Sequence, residues 1–105
     1  MSLDEWQEPV FNEALKGMAN MVVEFSAPWC HACKLTEPIV AEVSKSYTDI
    51  QFAKIDVAKN PALASKMGVM SLPNIFFIKA GKVKDQIIGA ASRVKIEEKM
   101  RALAN

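Results

Sequence analysis

One histidine and two cysteines are all that this 105-residue chain offers a soft metal ion. A structural zinc site takes about four ligands, so a single copy cannot close one, and two copies would have to pool theirs. Charge of one sign is also missing. The net charge of +1 gives no electrostatic reason to bind nucleic acid or an anionic membrane. Long apolar runs are absent too: the run Ile75 to Ile78 is far short of a bilayer span. The opening residues "MSLDEWQEP" are acidic and lack the apolar stretch and small-residue cleavage site of a secretory signal. The expected compartment is therefore the cytoplasm. There are no repeats, low-complexity tracts or linkers. With 50% apolar and 24% charged residues, residues 1–105 read as one soluble domain.

Hydrophobic spacing divides this domain into alternating elements. Residues 4–16 carry Trp6, Val10, Phe11, Ala14 and Leu15 at helical intervals, with Gly17 as a stop. The run "MVVEFS" (21–26) reads as a strand covered on both faces. From Cys33 to Tyr47, the residues Leu35, Ile39, Val40, Val43 and Tyr47 mark an amphipathic helix that Pro38 should kink. "QFAKIDV" (51–57) alternates as a strand. A short helix over 60–67 has Asn60 as its cap and Pro61 at its first position. "NIFFI" (74–78) and "KVKDQIIG" (82–89) are strands joined by an Ala80–Gly81 turn, with Lys79, Lys82 and Lys84 solvated around it. Ser92 caps a last helix that turns Ile96, Met100 and Leu103 inward. The order α-β-α-β-α-β-β-α implies crossover units, a terminal hairpin and a mixed sheet between helices.

Both cysteines lie in "FSAPWCHAC" (25–33), where the first strand gives way to a helix. Unpaired N–H groups and about half a positive charge at a helix N-terminus favour a thiolate. Cys30 thus has a physical reason to be nucleophilic near neutral pH. Cys33, three residues on, is close enough to attack a mixed disulfide formed at Cys30. A redox couple is the strongest reading, ahead of pooled metal ligands or two inert core cysteines. His31, when protonated, adds positive charge beside Cys30. Stabilising the thiolate in this way makes the couple a stronger oxidant.

"VVEFSAPWCHACK" resembles the active-site stretch of the thioredoxin superfamily. The similarity continues through Pro38, "AKIDVAKNPALASKMGV", "SLPNIFFIKAGKV" and "IIGA", covering residues 21–105. It implies a three-layer α/β/α sandwich: a mixed sheet of four strands, the family's first edge strand being short or missing, flanked by four helices. It also implies a thiol–disulfide oxidoreductase. Cys30 would be the attacking cysteine and Cys33 the resolving one. Glu24 would be the internal base, taking the proton of Cys33 through a water, with Lys54 modulating its charge. Burial alone would raise the basicity of such a carboxylate.

The same resemblance implies a substrate surface made of Trp29, His31, Ala32, Leu72, a cis Pro73, Gly89 and Ala90, with Ile88 beside them. Met70 could add an adaptable side chain, whereas Met67 reads as helix packing. No metal or bound cofactor is implied beyond the Cys30–Cys33 disulfide. The partners implied are disulfide-containing proteins and a separate reductase resembling thioredoxin reductase, acting on a monomer. The dipeptide His31-Ala32 replaces the Gly-Pro of thioredoxin and implies a less reducing couple. An oxidase or isomerase on this fold is the alternative enzyme; a binding module or metal carrier is the non-catalytic one.

Overall fold

The computed structural model describes residues 3–104. Nine elements follow in the order β1 (Asp4–Glu5), α1 (Glu8–Lys16), β2 (Met21–Ser26), α2 (His31–Ser44), β3 (Gln51–Asp56), α3 (Pro61–Lys66), β4 (Asn74–Lys79), β5 (Lys82–Ile88) and α4 (Arg93–Ala104). They form one sheet in the order β1-β3-β2-β4-β5. β1 and β2 run parallel to β3, whereas β4 is antiparallel to β2 and β5 to β4.

The expected sheet of four strands is corrected to five. β1 is only two residues long, too short for alternation to reveal, and exists because Asp4 and Glu5 pair with Ala53 and Lys54. For the same reason, the helix expected from residue 4 starts at Glu8, with Pro9 supplying preset backbone in its first turn.

Strand alternation sorts the core into two layers. On one face Val22, Ile75 and Phe77 meet Val40, Ala41 and Val43 of α2 and Ile96, Met100 and Leu103 of α4. On the other face Met21, Val23, Phe25, Phe76 and Ile78 meet Phe11 of α1 and Leu63 of α3. Central β2 and β4 are covered on both sides, which is why their sequences read as almost continuous apolar runs.

Three expectations about helix faces and caps change. Leu35 is 60% exposed, on the outside of α2. α2 ends at Ser44 rather than Tyr47, and Pro38 lies within it. Asn60 stands at the N-cap of α3 without capping it. Its side chain instead accepts a hydrogen bond from the Glu8 amide (2.9 Å) and donates to Gln7 Oε1 (3.0 Å) and to the Asp56 carbonyl (3.0 Å), tying α1 to the β3–α3 loop. Ser92 does cap, its hydroxyl accepting from the Lys95 amide.

The β4–β5 hairpin closes through Ala80 and Gly81, both at positive φ (52° and 77°), as a two-residue turn of the primed type requires. Its tip is fastened to the α1–β2 loop: the Gly81 amide donates to the Ala19 carbonyl and the Ala80 amide to Asn20 Oδ1. A Cβ on Gly81 would lie 2.8 Å from the Leu15 carbonyl oxygen. Among the described residues, no helix is long and apolar enough to cross a membrane.

Candidate active site

β2 delivers the chain to the carboxyl end of the sheet, where the Cys30 amide donates to the Ala27 carbonyl and turns it into α2. Cys30 is the N-cap of that helix, in an extended conformation. Its sulfur accepts the Cys33 amide at 3.1 Å, so one of the helix's free N–H groups is spent on sulfur. The two cysteines are joined as a disulfide with Cα atoms 5.3 Å apart. Cys30 is partly exposed, whereas Cys33 is only 4% exposed. His31 and Ala32 form the first turn of α2, with His31 facing solvent and Ala32 half-buried.

Glu24 lies in the middle of β2 with no exposed surface. Among the described residues, neither carboxylate oxygen has a hydrogen-bond partner. Burial drives its pKa up to about 8; the nearby negative charge of Glu37 adds to the rise and Lys54 opposes it. Lys54 is its register partner on β3. The ammonium of Lys54 nevertheless goes elsewhere, donating to both carboxylate oxygens of Glu37, at 3.2 and 3.1 Å. Glu37 Oε2 also accepts the amide of Leu3 at 3.1 Å.

Glu37 had no place among the candidates read from the sequence. The signal was available, since it stands four residues after Cys33 and so on the same side of α2. Cys33, Lys34, Glu37, Lys54, Asp56 and Lys59 line a cavity of about 390 Å³ behind the disulfide, with Glu5 and the 26–28 turn completing its wall.

Several remaining candidates lie where β4 begins and β5 ends. The Leu72–Pro73 peptide is cis. Gly89 donates its amide to the Pro73 carbonyl (2.8 Å), bringing the 72–73 loop and the end of β5 together. Asn74, buried immediately after Pro73, pairs with Phe25 and Ile88, and its Oδ1 accepts from Gln86 at 2.7 Å. Trp29, Met70 and Ile88 are 71%, 94% and 63% exposed, comparable to Met18, Leu35 and Val94 elsewhere on the surface. Ala90 is exposed beside Gly89. Met67 packs against the α1–α3 core layer, in keeping with its reading as helix packing.

The family model described as thioredoxin matches residues 3–102. Thioredoxin H5 of Arabidopsis thaliana is 35% identical over 99 residues, covering 94% of this chain and 82% of that protein. The chloroplastic thioredoxin M4 of the same plant is 36% identical over 99 residues; here the match covers 93% of this chain but 49% of the relative. Among solved structures, mitochondrial thioredoxin 3 from Saccharomyces cerevisiae in its oxidised form superposes with a TM-score of 0.86 at 27% identity, covering 95% of this chain and 94% of that one.

Proposed function

That this chain belongs to the thioredoxin family, and is a protein thiol–disulfide oxidoreductase, is the premise from which we propose a role for each residue of the site. In the reduced protein the Cys30 thiolate attacks one sulfur of a substrate disulfide. A Cys30–substrate bond forms and the other substrate sulfur leaves as a thiolate. Cys33 then gives its proton, through a water, to the Glu24 carboxylate and attacks the Cys30 sulfur. The mixed disulfide breaks, the second substrate thiolate leaves, and the Cys30–Cys33 disulfide closes. Two electrons have passed from the dithiol to the substrate.

The asymmetry of the pair carries this reading. Cys30 is reachable and sits at a helix N-terminus, where an amide already points at its sulfur. Cys33 is buried at the wall of the cavity it shares with Lys54 and Glu37. One sulfur is therefore fitted to meet a macromolecule, and the other to meet only its neighbour. Glu24 suits the base: a dry carboxylate holds its proton until near the pH at which thiols ionise.

The outer surface supports a docking role. Trp29, Met70 and Ile88 offer apolar contacts, and the backbone of Leu72 beside Pro73 offers hydrogen bonds to an extended segment, with Gly89 and Ala90 as the facing wall. His31 and Ala32 complete the rim at the helix start. The disulfide is the only redox group the cycle needs, and a separate reductase resembling thioredoxin reductase returns the electrons. A single copy working as one domain over residues 1–105 is sufficient for these steps. Cytoplasmic residence is the simplest compartment, although relatives are named as chloroplastic and mitochondrial.

The roles are tested on the reduced protein by timed alkylation near neutral pH. Cys30 is expected to react at least about tenfold faster than Cys33. Cys33→Ser is expected to trap mixed disulfides with substrate proteins and Cys30→Ser to trap none. Equal alkylation rates, or trapping by both variants, would overturn the assignment.

A further inference from the structure

Lys54 has two carboxylates within its influence and has chosen one. Its register places it beside Glu24, the group that burial penalises most. Pairing there would give Glu24 the partner it lacks, yet both short contacts of the ammonium are with Glu37. Glu37 is itself held on α2 and by the Leu3 amide, so it is a fixed acceptor rather than a wandering one.

We propose that Glu37 is a positioning residue for the resolving step: its carboxylate takes the Lys54 ammonium across the cavity behind Cys33 and thereby withholds that charge from Glu24.

This inference rests on Glu24 acting as the base. Competing charge reaches Glu24 from two of the elements packed around it. β3 contributes Lys54 and α2 contributes Glu37, and these are the two charges that act on it. β4 places Ile75 opposite it, and α4 turns Ile96 and Met100 to this face. Glu5, Lys34, Asp56 and Lys59 line the cavity farther along; Lys59 is paired with Glu5 at 3.1 Å, and Asp56 accepts the Ala58 amide.

The consequence follows from Coulomb's law in a site of low polarity. With Glu37 charged, Lys54 is neutralised, and Glu24 is left with little besides burial to set its proton affinity. Without Glu37, the ammonium is free to turn towards Glu24, which would then ionise more readily and become a weaker base. Glu37 thus acts on Glu24 in two ways, by its own negative charge and by holding Lys54. Only the second depends on Lys54.

Infrared titration of the oxidised full chain separates these contributions, since the cysteines do not ionise in the disulfide and Glu24→Gln identifies the Glu24 carboxyl band. Glu37→Gln, which keeps an acceptor for the Leu3 amide, is expected to lower the Glu24 titration midpoint by about one pH unit. In a Lys54→Gln background the same substitution is expected to move it by less than half as much. No shift in Glu37→Gln, or the same shift in both backgrounds, would overturn the proposal.

The resolving step is read separately, from the pH dependence of aromatic thiolate release after an aromatic disulfide reagent has labelled Cys30. A release profile that moves with the Glu24 midpoint supports Glu37 in the resolving step. A profile that stays put while the midpoint moves would overturn that role together with the base assignment of Glu24, leaving the electrostatic link between Glu37 and Glu24 standing.

Discussion

Lys54 stands opposite Glu24 across β2 and β3, yet donates to Glu37 on the helix above. The arrangement leaves a carboxylate in the middle of a dry strand with no partner for either oxygen among the described residues. Its retention there is a cost to the fold.

That cost depends on pH. Below about pH 4.5, folded and unfolded chains both carry the Glu24 proton; between there and about pH 8 only the folded chain keeps it. Stability should therefore be greatest on the acid side of this window and fall through it by up to about 1.4 kcal/mol per pH unit. Glu24→Gln should abolish this descent. At about pH 9 the variant should exceed the parent chain by on the order of 2–4 kcal/mol, while near pH 5 the two differ by about 1 kcal/mol or less. Denaturant unfolding of the oxidised protein across this range measures both. Parallel stability curves would show that the carboxylate reaches solvent.

Trp29 offers the opposite combination, a proposed docking contact that the core does not need. Being 71% exposed, it contributes little to the core. Trp29→Ala should change unfolding free energy by about 0.5 kcal/mol or less. It should lower kcat/KM towards protein disulfides about tenfold, with little effect on a small disulfide reagent. Equal losses with both substrates would assign the indole to the chemistry rather than to docking.

His31 occupies the first position of α2, next to the sulfur whose charge it would influence. His31→Gly should make the couple more reducing by roughly 10–30 mV, because it removes the imidazole beside the Cys30 sulfur. Equilibration with a glutathione buffer reads the difference. No shift would show that His31 does not tune the couple.

The hairpin tip provides a test remote from the cysteines. Ala80 bears a left-handed backbone that its Cβ disfavours, and Gly81 has no room for a Cβ at all. Ala80→Asn should stabilise the chain by about 0.5–1 kcal/mol, and Gly81→Ala should destabilise it by about 1–3 kcal/mol. Neither should alter the Cys30 alkylation rate. Thermal unfolding together with that rate checks both halves.

The sequence made some of these features readable and hid others for physical reasons. β2 and β4 declared themselves because a strand buried on both faces must be apolar throughout, which made Glu24 conspicuous. The cysteine pair and Ser92 were legible because their partners are three residues away. Asn60 misled because the local rule for a helix cap was outcompeted by partners more than fifty residues distant. β1 was invisible because two residues carry no period. The Lys54–Glu37 pair was hidden likewise, since spacing along one helix shows a face but not which strand residue reaches it.

Both margins of the sheet are poor places for another chain to attach. One is β1, two residues long; the other is β5, which opens with exposed Lys82, Val83 and Lys84 and pairs with β4 through an irregular register at Phe77 and Ile78. Short, charged or bulged edges resist strand addition. A protein proposed to lay extended segments of other proteins beside the Leu72–Pro73 loop would be at risk if its borders accepted them as well. Blunt borders confine such contact to one spot, where it lasts no longer than a single sulfur–sulfur bond. A bound segment is then released when that bond is resolved, and the protein does not become a nucleus on which such segments accumulate.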